Sequence, residues 1–129
     1  MALHMNSVTV EALDPSAQAR FWTQALGWHL VYEGQDEHGG WALVAPAPSR
    51  EEGGLAYPVM FWRVCTAKAV KNRWHFDLAP DDQAVEVARL QALGALRANI
   101  GQGQVAWVVM TDPEGNEFCV LPSLPEPAA

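Results

Sequence analysis

The chain contains two fourteen-residue segments that share a start signal, an end signal and part of their sequence. Residues 14–27 read DPSAQARFWTQALG, and residues 81–94 read DDQAVEVARLQALG. Their starts and their ends are both 67 positions apart, so the two segments are in the same register. An internal repeat of this kind predicts that the 129 residues are built from two copies of one structural plan.

Each repeated segment predicts a helix that ends at a glycine. Asp14 is the predicted N-cap of the first helix, with Pro15 in the first helical position, and Gly27 suits the left-handed residue that commonly ends a helix. Asp81 or Asp82 is the predicted cap of the second. The apolar stripes expected to face the core are Ala17, Phe21, Ala25 and Leu26 in the first helix and Val85, Ala88, Ala92 and Leu93 in the second.

A strand of alternating polarity precedes each helix, at residues 7–11 (SVTVE) and 73–78 (RWHFDL). Three further β-like runs follow each helix, at 28–33, 41–45, 57–64, 95–100, 105–110 and 116–121. The plan is therefore strand–helix–strand–strand–strand, twice. We predict an α+β fold of two βαβββ modules, at about 6–65 and 73–121, joined by a link at 66–72.

The two ends lie outside the repeated plan. Residues 1–5 (MALHM) are interpreted as an N-terminal extension that includes a His-Met pair of the kind that cloning leaves behind. Residues 122–129 contain three prolines and are expected to be an unstructured tail. Residues 6–121 are then predicted to form a single domain.

Composition narrows the classes of function. A net charge of −7 opposes binding to nucleic acid, because that binding needs a cationic surface. No run approaches the roughly 18 to 20 apolar residues of a membrane-spanning helix. Two cysteines cannot form a disulfide framework. We therefore expect a cytoplasmic protein with reduced thiols and with neither nucleic acid nor membrane as a partner.

Two motifs, together with the double βαβββ plan, carry a resemblance to a known family. Residues 71–78 read KNRWHFDL, and residues 112–118 read DPEGNEF, which begins with a strong turn. The chain resembles the vicinal oxygen chelate superfamily, which includes glyoxalase I, bleomycin-resistance proteins and extradiol dioxygenases, and most resembles bacterial glyoxalase-like domain proteins. The resemblance implies that the two sheets curl into an incomplete barrel around a pocket, with the helices outside, and that the protein is a homodimer.

The resemblance also implies where a divalent metal would be held, on the first and fourth strands of each module. In the second module these positions match His75 and Glu117, whose nitrogen and oxygen suit Zn, Ni, Mn or Fe. In the first module they match Ser7 and Phe61, and neither is a normal ligand. The cofactor is then none, or a divalent metal at a partial ligand set completed by Glu11, Asp77 or a second subunit.

If no metal is bound, His75 and Glu117 are interpreted as buried polar groups that pair with neighbouring side chains. His75 would bond to a neighbour such as Glu117, and Glu117 would pair with Arg63 or His75, because an unpaired buried carboxylate is costly. In an enzyme, Glu117 would instead be a metal ligand or the catalytic base.

Strand alternation predicts which side chains face the pocket. Apart from the metal position Glu117, the residues expected to contact a ligand are Ser7, Thr9, Glu11, Phe61, Arg63, His75, Asp77 and Cys119. The residues expected on the opposite, helix-packed faces are Val8, Val10, Trp62, Trp74, Phe76, Leu78, Phe118 and Val120. Arg63 suits a carboxylate or phosphate on the ligand, whereas Cys119 has no basic neighbour in sequence and is interpreted as packing. Most of the six tryptophans are expected in the core.

Three functions stay open. The chain is a binding module for a small molecule in a partly charged pocket, a metal-dependent lyase, isomerase or dioxygenase that uses His75 and Glu117, or a structural homodimer without a ligand. The two missing metal positions favour the binding module and argue against glyoxalase I activity.

Overall fold

The first half of the chain forms one helix and one sheet. In the computed structural model, which describes residues 2–37, 39–49, 57–123 and 125, the chain divides into two compact units, residues 1–67 and 68–129. The first unit contains, in order, β1 (Val8–Ala12), α1 (Pro15–Leu26), β2 (His29–Asp36), β3 (Gly39–Ala45) and β4 (Val59–Arg63).

The second unit repeats this order with shorter strands. Its elements are β5 (Asp77–Leu78), α2 (Gln83–Leu93), β6 (Leu96–Arg97), β7 (Val108–Thr111) and β8 (Glu117–Val120). The predicted α+β class and the two βαβββ modules are therefore confirmed. Of the predicted extensions, residues 1, 124 and 126–129 lie outside the described residues. The shared pocket and the single-domain organisation stay predictions.

The two sheets have the same topology. In the first, the strand order is β1-β4-β3-β2, with β1 parallel to β4 and the other pairs antiparallel. In the second, the order is β5-β8-β7-β6, with β5 parallel to β8. In each unit the connection from the first strand through the helix to the remaining strands thus brings the first strand beside the last.

Each helix begins and ends where the capping residues predicted. The Asp14 carboxylate accepts a hydrogen bond from the Ala17 N–H at 3.0 Å, and Gly27 ends α1 at a φ of 66°. In α2 the cap is Asp82, whose carboxylate accepts from the Val85 N–H at 3.1 Å. The structure thereby decides between the two aspartates that the sequence left open.

Asp82→Ala is expected to lower the free energy of unfolding by about 1 kcal/mol, because it leaves an N–H of the first turn of α2 without its partner. Asp81→Ala removes an adjacent exposed carboxylate that does not cap the helix, and it should change the stability by less than about 0.5 kcal/mol. Urea unfolding of the two variants measures the difference. Equal effects would contradict the assignment of the cap to Asp82.

The predicted apolar stripe of α2 is wrong. Val85 is 59% exposed, and Ala88 and Ala92 are also exposed, whereas Val87 and Leu90 are 2% exposed each. The helix is rich in small apolar residues on several sides, so spacing alone did not identify the buried face. In α1, Phe21 and Ala25 are buried as predicted, and Trp22 is buried beside them.

The predicted face of β4 is also wrong. Phe61, expected to face a pocket, is 1% exposed, and Trp62, expected to pack in the core, is 39% exposed. Phe61 is paired with Val10 and with the fully buried Ala42, so it belongs to the core face of the sheet. Four apolar residues stand in a row in β4, and such a run does not show which alternate residues face inward.

Trp62 has an aromatic neighbour on the other face of the sheet. Its ring stacks on that of Trp41 at a centroid distance of 5.7 Å and an interplanar angle of 16°. Trp74 and Trp107 are exposed as well, at 85% and 41%, so the expectation that most tryptophans lie in the core fails. Stacking on Trp41 lets the Trp62 ring remain half-exposed at a low cost in free energy.

The strand predicted at 73–78 is much shorter than expected, since only Asp77 and Leu78 belong to β5. The chain approaches β8 one residue earlier, where the Phe76 carbonyl accepts a hydrogen bond from the Cys119 N–H at 2.9 Å. His75 therefore lies just before the hydrogen-bonded ladder rather than within it.

Neither described helix has the length and apolar character needed to cross a lipid bilayer.

Candidate functional site

The carboxylate of Glu117, at the start of β8, is held on both oxygens. The Lys68 ammonium donates to Oε1 at 2.7 Å, and the Asn72 backbone N–H donates to Oε2 at 3.0 Å. The side chains of Lys68 and Glu117 are only 20% and 10% exposed. Glu117 is therefore a largely buried, paired carboxylate, in line with the metal-free interpretation, but its partner is Lys68 rather than Arg63 or His75.

The turn before β8 fixes the position of Glu117. Asp112, which is 4% exposed, accepts hydrogen bonds from the backbone N–H groups of Glu114 and Asn116, each at 3.0 Å. Asn116 in turn accepts from the Asn72 amide at 2.8 Å. The DPEGNEF motif thus forms a rigid turn whose last polar residues fasten the segment from Lys68 to Asn72 against β8.

The pairing lowers the pKa of Glu117. Burial alone would raise it, but the hydrogen bonds from Lys68 and from the Asn72 N–H, with the Lys68 charge, outweigh burial and hold the pKa below the ordinary value of 4.5. A carboxylate that is ionised so readily and is already paired is a weak general base at neutral pH. The geometry therefore does not favour the predicted catalytic role of Glu117.

A second group of polar side chains lies at the junction of β5 and β8. His75 Nδ1 is 3.1 Å from Asp77 Oδ1, and Cys119 is paired with Asp77 across the parallel strands. One potential ligand atom from each of the three residues lies within 4.8 Å of those of the other two. The structure thus brings together three of the residues predicted to share a face, whereas Glu117 is not part of this group.

The Cys119 thiol is neutral in this environment. Burial raises its pKa, and the charge of Asp77 and a hydrogen bond to that carboxylate raise it further, while Lys71 opposes the shift. A thiol with a raised pKa is a poor nucleophile, since the thiolate is the reactive form. Nucleophilic catalysis by Cys119 is therefore not supported by its surroundings.

The four positions that the resemblance assigned to a metal do not fit one. Ser7 offers only a neutral hydroxyl, and Phe61 has no donor atom and lies in the core. Glu117 already uses both oxygens for Lys68 and Asn72. Only His75 keeps the character of a ligand, and one residue does not make a metal site.

The ligand-contacting residues predicted in the first unit fall on two different faces. Because paired residues of neighbouring strands share a face, Glu11 lies on the side of Trp62 and Trp41, whereas Phe61 lies on the core side. Ser7 and Thr9 alternate with Val8 and so share the side of Glu11. Arg63 is exposed at the strand end, and its Nε donates to the Val64 carbonyl at 2.9 Å. Apart from the corrected face of Phe61, the ligand-binding role of this set stays a prediction.

A largely open cavity of about 630 Å³ lies at the surface of the second unit, beside β6 and β7. Its walls come from the end of β6, the connection to β7 and the start of β7. The lining residues are Arg97, Ala98, Asn99, Gln102, Gly103, Gln104, Val105, Trp107, Val108 and Val109. None of the side chains predicted from the sequence to contact a ligand belongs to this lining.

Local hydrogen bonds shape the cavity wall. The Asn99 side chain accepts from the Gly101 N–H at 2.8 Å, and the Gln102 side chain accepts from the Ile100 N–H at 2.8 Å and donates to the Ala98 carbonyl at 3.2 Å. These amides therefore hold the connection in place. Arg97 and Trp107 are exposed, and among the described lining residues Arg97 is the one charged side chain.

Residues of the types that line ligand pockets occur in this part of the sequence, but two predicted strands were assigned to their positions. The strands predicted at 95–100 and 105–110 shrink to β6 and β7, and the residues released from them become the wall. A lone arginine on β6, three side-chain amides in the connection and a tryptophan just before β7 supply the aromatic surface and the few polar groups that ligand pockets commonly have.

Comparison with known proteins supports this architecture. The sequence profile of the glyoxalase-like domain matches residues 7–121. No curated protein sequence is significantly similar to the chain. Among solved structures, the E126Q mutant of the fosfomycin resistance protein FosX of Listeria monocytogenes, in complex with Mn(II) and 1S,2S-dihydroxypropylphosphonic acid, has a TM-score of 0.67 at 12% identity over 96% of this chain and 95% of its own.

Two further solved structures share the fold. The trypanothione-dependent glyoxalase I of Leishmania major has a TM-score of 0.63 at 15% identity, over 94% of this chain and 87% of its own. TnmS3, an antibiotic binding protein from Streptomyces sp. CB03234, has a TM-score of 0.57 at 22% identity, over 96% of this chain and 99% of its own. These identities are low, so the likeness establishes the fold and not the chemistry. With its profile match spanning both βαβββ modules, the chain belongs to the glyoxalase-like domain family.

Proposed function

We propose that this protein binds a small organic molecule in the cavity beside β6 and β7 and does not use the four-ligand metal site of its superfamily. The observation that carries the proposal is the cavity itself, at about 630 Å³. Ligand pockets in proteins commonly measure about 300 to 1,000 Å³. The pairing of Glu117 with Lys68 supports the second half of the proposal, because it occupies the carboxylate that a metal enzyme would need.

The lining indicates the chemical class of the ligand. Trp107 offers an aromatic surface, and Val108 and Val109 are apolar neighbours on β7. Arg97 can bind both oxygens of a carboxylate or phosphonate. The combination favours a flat or aromatic compound that carries an acidic group.

Two proteins of similar fold bind small molecules. FosX was solved with a phosphonic acid, and TnmS3 is described as an antibiotic binding protein. We propose a comparable binding role here, in a cytoplasmic protein that forms a homodimer. Cys65 and Cys119 are both free thiols, which supports a reducing compartment.

The test is a fluorescence titration with a panel of aromatic carboxylates and phosphonates. A binding compound should quench the tryptophan emission, and Trp107→Leu should remove most of the response. Trp74→Leu is the matched control, because Trp74 is 85% exposed and does not line the cavity. Arg97→Gln should weaken the binding of acidic compounds by about tenfold to a hundredfold, while Arg20→Gln, an exposed arginine on α1, should leave it unchanged.

Two outcomes would overturn the proposal. One is that no compound of the panel changes the emission of the wild-type protein. The other is that Trp107→Leu and Arg97→Gln both bind as tightly as the wild type. If the same two variants changed only the association of the protein in sedimentation experiments, the structural homodimer would be the better account.

A further inference from the structure

We propose that His75, Asp77 and Cys119 form a binding site for a borderline-soft divalent cation such as Zn²⁺. The site shares only His75 with the positions that the superfamily resemblance assigns to a metal. It is independent of the proposed small-molecule cavity, since none of the three residues lines that cavity.

The separation of the donor atoms is close to what a tetrahedral ion requires. One ligand atom each from His75, Asp77 and Cys119 lies within 4.8 Å of the other two. Zinc bonds of about 2.0 to 2.3 Å at tetrahedral angles place ligand atoms about 3.3 to 3.8 Å apart. The His75–Asp77 pair, at 3.1 Å, is only slightly closer than that range. The 4.8 Å limit on the other separations exceeds the range by about 1 Å, so small side-chain rotations bring the three ligand atoms to coordination geometry.

The backbone holds two of the three residues in a fixed relation. Asp77 and Cys119 are directly paired on the parallel strands β5 and β8. The Cys119 N–H donates to the Phe76 carbonyl at 2.9 Å, and the Leu121 N–H donates to the Leu78 carbonyl at 2.8 Å. His75 stands two residues before Asp77 and reaches its carboxylate directly. Such preorganisation lowers the cost of gathering the ligands around an ion.

The ligand types select the class of cation. A thiolate and an imidazole favour Zn²⁺, Co²⁺ or Ni²⁺ over Mg²⁺ and Ca²⁺, which prefer oxygen alone. On binding, the Cys119 S–H bond breaks, the sulfur binds the metal as thiolate and the proton passes to the buffer, with no change of oxidation state. The two negative charges of thiolate and carboxylate then balance the divalent ion.

The burial of the group leaves room for a fourth ligand. Cys119 is 8% exposed, whereas the side chains of His75 and Asp77 are 37% and 52% exposed. Sulfur therefore lies at the bottom of the site, and the other two ligands open toward solvent. Three protein ligands and one open position are the composition of zinc sites that also bind water or another small ligand.

The test uses Co²⁺ alone, without any organic ligand. Titration of the reduced protein should produce a thiolate-to-cobalt charge-transfer band that saturates at about one equivalent, and Zn²⁺ should then abolish the band. Cys119→Ser should remove the band. His75→Gln and Asp77→Asn should each weaken Co²⁺ binding by more than about tenfold, because loss of even an outer-shell partner often costs that much.

Matched controls come from the same chain. Cys65→Ser removes the other, exposed free thiol, and His29→Gln removes an exposed histidine of β2. Both variants should keep the band and its affinity. If Cys119→Ser fails to fold, thiol reactivity of the wild type replaces it, and Zn²⁺ should then slow the modification of Cys119 but not that of Cys65.

Absence of the band in the wild-type protein would overturn the inference, as would a band that survives Cys119→Ser or disappears in Cys65→Ser. Protection of neither thiol by Zn²⁺ would have the same meaning. Because no organic compound is present, these outcomes bear only on the metal site, and the fluorescence titration bears only on the cavity.

Discussion

Phe61→Ala is expected to lower the free energy of unfolding by about 3 to 5 kcal/mol. The ring is 1% exposed and lies on the core face of its sheet with Ala42, so its removal leaves a cavity that neighbouring strands cannot fill. Trp62→Ala, at the next position of β4, removes a larger side chain that is 39% exposed and stacked on Trp41. We expect it to cost only about 1 kcal/mol.

Urea unfolding at neutral pH measures both changes. A loss of 5 kcal/mol can exceed the stability of a small protein, so Phe61→Leu serves as a milder variant, with an expected loss of about 1 to 1.5 kcal/mol. If Trp62→Ala proved more damaging than Phe61→Ala, the assignment of Phe61 to the core face would be wrong, and the original prediction that it faces a pocket would be restored.

Lys68→Met is expected to destabilise the protein by about 2 kcal/mol at pH 7. The substitution keeps most of the side-chain volume but leaves the Glu117 carboxylate, which is 10% exposed, without its ammonium partner. The double variant Lys68→Met with Glu117→Gln removes the stranded charge and should recover part of the loss. Lys71→Met is the control, because it removes an exposed lysine of the same segment whose ammonium donates to the Asn72 backbone carbonyl at 3.1 Å.

The same pair predicts a pH dependence. The folded-state pKa of Glu117 is below the unfolded value near 4.5, so the pair stabilises the protein above that pH. As the pH falls below 4.5, the unfolded state takes up the proton first, and this contribution is lost. Lys68→Met removes the hydrogen bond and the charge that oppose the effect of burial, so the pKa of Glu117 should rise. The stability that the protein loses on acidification through ionised Glu117 should then become smaller or change sign.

Urea titrations between pH 3 and pH 7 test this expectation. The wild-type protein should lose more stability across that interval than Glu117→Gln, in which the group cannot ionise. Parallel pH profiles for the two proteins would show that the pairing of Glu117 with Lys68 does not contribute to folding.

The helices and the order of elements could be predicted because their signals are local. Asp14 and Gly27 determine the ends of α1 through bonds to residues a few positions away, and the same chemistry recurs around Asp82. The repeat of the whole segment then doubles the plan. Capping bonds of this kind join residues close in sequence, so they can be predicted without knowledge of the tertiary fold.

The faces of the strands could not be predicted, because they depend on which side each helix covers. In β4 the apolar residues are continuous, and Trp62 finds its partner in Trp41 on another strand. In β8, Phe118 and Val120 are buried as predicted, but Cys119 between them, predicted on the opposite face, is buried as well. Alternation in the sequence therefore does not by itself show which side of a strand is covered.

The sequence predicted a shared face for some of the candidate residues but not their bonding partners, and their role stays a prediction. His75, Asp77 and Cys119 come together as expected, because two of them face one another across neighbouring strands. Glu117 instead pairs with Lys68, which lies in the segment that links the two modules and packs against β8. No spacing rule predicts the path of such an irregular segment. Arg97 and Trp107 were missed because two predicted strands covered their positions.

The most direct test of the binding proposal is the indole N–H spectrum of ¹⁵N-labelled protein during titration with an aromatic carboxylate that quenches the emission. The proposal predicts that the Trp107 signal moves and saturates with the same affinity as the quenching, and that Arg97→Gln reduces the effect. If the Trp41 and Trp62 signals move while that of Trp107 stays in place, the ligand binds at the other sheet, and the cavity beside β6 and β7 is not the site.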